Sequence, residues 1–189
     1  MSSKYFDDID YELLDRKTAY KGKRIVVEEL HYRNPRTNQI IYREHVLAGH
    51  AAIIMPITDN NEFIMIKEPR TPIGKNVLAF PAGMIEEGEK PEDGARRELE
   101  EETGYRAGNL KKLRGVYPAI GYSNEQTIIF LATNLVKTER HLDETEDIEV
   151  LKIPIEEVRK MLESGEIQTS SETVGLLYYF MYEDKSFKE

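Results

Sequence analysis

The sequence predicts an α/β sandwich, a mixed β-sheet with a few helices, carrying a small antiparallel β extension at its N-terminus. Three observations carry that expectation. The chain has 189 residues, 40% of them hydrophobic, enough for one well-buried core and a small appendage. Short apolar-rich runs bounded by Asn, Asp, Pro and Gly recur along it, as strands and turns do. Segments with helix start and stop chemistry lie among them without a regular strand-helix-strand alternation.

In chain order, residues 23–33 (KRIVVEELHYR) and 40–47 (IIYREHVL) read as two strands joined by the turn-rich Asn34-Pro35-Arg36-Thr37-Asn38, an N-terminal hairpin. Residues 51–57 and 63–67 read as a second strand pair across Asp59-Asn60-Asn61, and 76–80 as another short strand. Pro91 suits a first helical turn, Glu92 and Asp93 favour its positive end, and Gly104 suits the left-handed position beyond the last turn. Pro91–Thr103 is therefore predicted as one helix. Further strands are expected at 112–117, 127–134 and 148–153, followed by helices at Ile155–Ser164 and 171–183. The domain boundary falls near residue 48: 1–48 form the extension, 49–189 the main domain.

Composition narrows the function. Without cysteine there are no disulfides, thiolate metal sites or cysteine nucleophiles. Residues 1–8 lack an apolar signal core, and no run approaches the ~18 apolar residues of a membrane span, so a cytoplasmic enzyme is expected. A net charge of -9 disfavours a nucleic-acid backbone as partner. An anionic substrate would need something cationic in between.

The helix poses a problem of its own. Glu98, Glu101 and Glu102 stand at i, i+3 and i+4, so their carboxylates share one face, while Ala95 and Leu99 supply an apolar face. Acids crowd the last turn, where the helix dipole disfavours negative charge by a few tenths of a kcal/mol each. A phosphate-binding glycine loop is excluded because Glu89 stands where lysine is required, and Asp143-Glu144-Thr145-Glu146-Asp147-Ile148 lacks the glycine and spacing of a calcium loop. His31, His45, His50 and His141 show no paired ligand spacing.

Gly83, Glu89, Arg97, Glu98, Leu99, Glu101, Glu102, Gly104 and Tyr105 fit G-x5-E-x7-R-E-U-x-E-E-x-G-U, with U a bulky apolar residue and Tyr105 an aromatic variant of the last position. This segment resembles the signature of the Nudix hydrolases. The resemblance implies an α/β/α sandwich with a mixed sheet, in which a loop-helix-loop holds Mg2+, with Mn2+ a possible substitute, against a diphosphate. The implied metal ligands are Glu98, Glu101, Glu102 and the carbonyl of Ala82, and hard dications do prefer oxygen donors. A cation there would turn the repulsion among these carboxylates into attraction. Glu89 and Arg97 are expected to form an ion pair clamping loop to helix.

Residues 23–180 further resemble the ADP-ribose pyrophosphatases and related nucleoside-diphosphate-sugar hydrolases. That likeness implies Arg70 of Lys67-Glu68-Pro69-Arg70 as a phosphate ligand, a geometry guanidinium suits, and Glu125 as a substrate-side acid. Residues 142–148 resemble a loop that closes over the site, with Glu144 as general base and Glu146 as its metal-side partner or alternative. It also implies a homodimer whose N-terminal extensions help form the base pocket, where Tyr5, Phe6, Tyr11, Tyr20 or Tyr32 could stack a base. Ile120 replaces a proline common in ADP-ribose hydrolases, leaving the sugar open. The expected reaction is Mg-dependent hydrolysis of ADP-ribose to AMP and ribose 5-phosphate, with GDP-mannose or ADP-glucose as alternative substrates. A non-catalytic ligand-sensing module is the alternative from another class.

Overall fold

The computed structural model describes residues 8–142 and 146–184, and the chain divides into two compact units. One comprises residues 1–48 together with 119–125; the other comprises 49–118 and 126–189.

The first unit is a three-stranded antiparallel sheet of β1 (Glu12–Lys21), β2 (Val26–Arg33) and β3 (Ile40–Leu47), in that order. Strands β2 and β3 close around Asn34, whose Oδ1 accepts the Arg36 N–H at 2.9 Å, with Asn38 at φ 57°. The first strand was absent from the sequence reading. All its residues are exposed, and it is tied to β2 by cross-strand charge pairs, Arg16–Glu28 at 3.6 Å and Lys17–Glu29 at 3.7 Å, and by Glu12–Arg33 at 3.0 Å. Such pairs contribute tenths of a kcal/mol each, and they leave no apolar alternation to read. Residues 119–125 run beside β3: the Val46 N–H donates to the Tyr122 carbonyl at 2.7 Å and the Ala48 N–H to Asn124 Oδ1 at 2.9 Å.

The second unit holds two sheets. β4 (Ala51–Pro56), β7 (Ala82–Met84), β8 (Tyr105–Val116) and β9 (Thr127–Lys137) form one in the order β7-β4-β9-β8, mixed because β4 and β9 run parallel. β5 (Glu62–Arg70), β6 (Lys75–Ala79) and β10 (Glu149–Pro154) form the other, ordered β10-β5-β6. The expected strand pair 51–57/63–67 is corrected here. Among the described residues a single isolated bridge, Ile57 to Phe63, links the two segments, and the strands enter different sheets. The reason is burial on both faces. Ile53 and Met55 of β4 join the core shared with Phe63, Met65, Leu176 and Phe180, while Ala52 and Ile54 pack with Ala95 and Leu99 on the opposite side. A strand apolar on both faces belongs inside a sheet, between two partners.

Helix α1 (Pro91–Thr103) covers the second of these faces, and α2 (Ile155–Ser164) and α3 (Ser170–Tyr178) cover the first. The expected helix at 171–183 splits: α3 ends at Tyr178 and continues as a wider π-helical turn over Tyr179–Glu183. No helix among the described residues is long and apolar enough to cross a membrane.

Candidate active site

Helix α1 begins with Pro91 and ends against Gly104, which takes φ 70° and donates its N–H to the Glu100 carbonyl at 2.9 Å. Complete burial of Ala95 and Leu99 fixes the rotation of the helix, with ~2 kcal/mol from the leucine. The glutamate face is thereby turned toward the loop that carries Gly83.

Glu102 is only 4% exposed, and its Oε2 accepts the Ala82 N–H at 2.9 Å. Burial pushes its pKa up to about 8; the Ala82 N–H opposes this, and Glu98, Glu68 and Glu146 reinforce it. Burial also raises the Glu98 carboxyl, against the pull of Arg97, with Glu101 and Glu146 adding to the rise. Glu98 lies directly against Gly83, where a Cβ would overlap its carboxylate. A side chain there would push the Glu98 carboxylate aside, which the flexible end of that side chain permits. Gly83→Ala is expected to displace Glu98 and cut turnover by about 10²-fold, the scale set by ångström misplacement at a reacting site, with little change in secondary structure by circular dichroism.

Arg97 does more than clamp the loop. Its Nε donates to Glu89 Oε1 at 3.2 Å, its Nη2 to the Met84 carbonyl at 3.0 Å, and its Nη1 to Glu98 at 2.7 Å and Glu101 at 3.0 Å. Glu89 is held below the usual carboxylate range by the Arg97 hydrogen bond and then by the Glu86 N–H, which it accepts at 2.9 Å. The guanidinium thus sits among the carboxylates. Among the described residues no three acidic or imidazole side chains are gathered at ligand spacing. The donor set nonetheless fits a hard dication: oxygen ligands, of which Glu98 and Glu102 have carboxyls raised first by burial and then by neighbouring acids, with one arginine as the neighbouring cation.

Arg70 closes β5 and pairs with Glu68 at 2.5 Å. The two stand at i and i+2, on one face of the strand. Glu68 received no role from the sequence, although that spacing is the signal that exposes it. Its pKa is raised by burial, lowered by Arg70, and raised by Glu172 and Glu146. Glu146 therefore acts electrostatically on Glu98, Glu102 and Glu68. Glu144 lies outside the described residues, as do Tyr5 and Phe6. Glu125 belongs to the other unit, its N–H donating to Ser123 Oγ at 3.1 Å. In that unit Tyr11 and Tyr32, 6.4 Å apart, line a groove with Arg36, Arg43 and His45, whereas Tyr20 lies over Gly22.

A glutamate-bearing loop-helix packed on a mixed sheet defines a Nudix-type hydrolase. The family described as NUDIX domain matches residues 48–172, and the chain belongs to it. It is 33% identical over 174 residues to an ADP-ribose pyrophosphatase of Bacillus subtilis (strain 168), covering 90% of this chain and 92% of that protein. It is also 29% identical to a methanol dehydrogenase activator of Bacillus methanolicus, covering 85% and 86%. A crystal structure of an ADP compounds hydrolase shares the fold at TM-score 0.83 and 23% identity, over 94% of this chain and 96% of that one.

Proposed function

We propose that this Nudix hydrolase cleaves the diphosphate of ADP-ribose, giving AMP and ribose 5-phosphate, in a reaction that depends on Mg2+ with Mn2+ as a substitute. The observation that carries the reading is a complete box whose Glu98, Glu101 and Glu102 stand on α1, in a chain resembling an ADP-ribose pyrophosphatase along nine-tenths of its length. Glu98, Glu101, Glu102 and the Ala82 carbonyl are the residues that would hold the dication. When bound, the ion supplies positive charge against a substrate that an acidic chain would otherwise repel. Arg70 orients the diphosphate through bidentate hydrogen bonds, and Glu125 contacts the substrate. Glu144 accepts the proton of the attacking water, and Glu146 supports the dication side or exchanges roles with Glu144. The deciding experiment is a panel of ADP-ribose, ADP-glucose, GDP-mannose and nucleoside triphosphates, with products resolved by chromatography. Preferred ADP-ribose cleavage is expected, and exclusive triphosphate cleavage would remove the assignment.

The working unit in this proposal is a cytoplasmic homodimer assembled through residues 1–48, with residues 49–189 as the catalytic domain. Its support is the set of large apolar side chains exposed on the strands of the β1–β3 sheet among the described residues, Leu13, Tyr20, Ile40 and Tyr42. A chain lacking residues 1–47 is expected to be monomeric or poorly soluble, to retain its box, and to lose most affinity for the sugar diphosphate. Sedimentation of the full-length protein as a fully active monomer would contradict this.

A further inference from the structure

The C-terminal end of α1 is closed by chain from beyond β9. Its last turn carries acids and no basic residue, so the free carbonyls and the negative end of the helix dipole need partners from elsewhere. Residues 138–141 supply them. The His141 N–H donates to the Glu101 carbonyl at 3.1 Å, the Arg140 Nε to the Glu102 carbonyl at 2.6 Å and the Thr138 N–H to the Gly104 carbonyl at 2.8 Å. Gly104 admits this approach, since a Cβ on it would lie 3.2 Å from the Thr138 carbonyl oxygen and 3.4 Å from the Arg140 Cβ. Arg140 makes a second bond, its Nη2 donating to the Ile148 carbonyl at 2.7 Å. Ile148 is itself fixed: it is 8% exposed and packs with Ile66 of β5 and Ala79 of β6, and Leu142 lies against the same cluster. One guanidinium thus joins the end of the box helix to both feet of the acidic segment that carries Glu144 and Glu146.

We propose that Arg140 is a positioning residue for hydrolysis, fixing the carboxylate end of α1 relative to the acid at Glu146, two residues ahead of Ile148. A planar guanidinium suits this because it offers charge-assisted donors in set directions, one for each carbonyl. Glu146 exerts its charge on both Glu98 and Glu102, as an acid held toward the box does. The role rests on the reading that Glu144 or Glu146 serves the attacking water.

The test is the kcat and KM of Arg140→Ala and Arg140→Lys, alone and combined with Glu144→Gln or Glu146→Gln, with thermal unfolding of each variant. Arg140→Ala is expected to lower kcat by ~10²-fold, the scale of ångström misplacement at a reacting site, with KM close to that of the wild type. Arg140→Lys keeps a positive charge at the end of α1 without the planar fork, so it is expected to unfold near the wild-type temperature and to recover little of the lost kcat. Combined with the variant of whichever acid carries the large loss, Arg140→Ala is expected to add almost nothing, because it acts through that acid. Independent, multiplying losses, or wild-type kcat in either Arg140 variant, overturn the proposal and leave Arg140 as a helix cap. Full turnover in both acid variants removes instead the reading of the base, and this role with it.

Discussion

Glu102→Gln is expected to lower turnover by at least ~10²-fold, about 2.7 kcal/mol, while making the metal-free protein more stable at neutral pH. The amide oxygen can still accept the Ala82 N–H, so the local fold is kept. What disappears is the cost of keeping a carboxyl protonated at neutral pH, imposed first by burial and then by Glu98, Glu68 and Glu146. The direction with pH follows from the raised carboxyl. With a folded pKa of about 8 against an ordinary value of roughly 4.3, the folded protein holds a proton that the unfolded chain releases. Stability is therefore greatest below the lower value and declines as pH rises toward 8. The loss amounts to a few kcal/mol, at ~1.4 kcal/mol per unit of pKa. Denaturant titrations between pH 4 and 9 should show this slope in the wild type and a flatter one in the glutamine variant. Unchanged turnover in saturating Mg2+ would remove Glu102 from the site.

Glu144→Gln is expected to reduce turnover by ~10² to 10⁴-fold with a much smaller effect on substrate binding, because a general base acts in the transition state alone. The expectation rests on the acidic run ahead of β10 and on its neighbour Glu146, whose charge reaches Glu98 and Glu102. Pre-steady-state kinetics separates the two effects. If Glu146→Gln carries the large loss and Glu144→Gln does not, the roles of the two acids are exchanged.

Much of this site was legible in the chain because its signals are local. Pro91, Glu92, Asp93 and Gly104 bound α1, and the 3.6-residue period alone groups Glu98, Glu101 and Glu102. The parts that escaped depend on partners distant in sequence. Strand β1 is held by charge pairs to β2, which composition does not announce. The strands at 51–57 and 63–67 look like a hairpin because their connection is short, yet burial on both faces draws β4 between β7 and β9. The resemblance implies Arg97 as a loop clamp to Glu89; its bonds to Glu98 and Glu101 require the helix to be wound.

The central claim is water attack at the diphosphate of ADP-ribose, and isotope incorporation tests it most directly. Full-length protein is incubated with ADP-ribose and Mg2+ in water enriched in oxygen-18, and the products are identified by mass spectrometry. AMP and ribose 5-phosphate are expected in equal amounts, with one heavy oxygen on the phosphate of one of them. Label on a sugar carbon with release of ADP, or an intact substrate under conditions where the protein binds its cation, would contradict it.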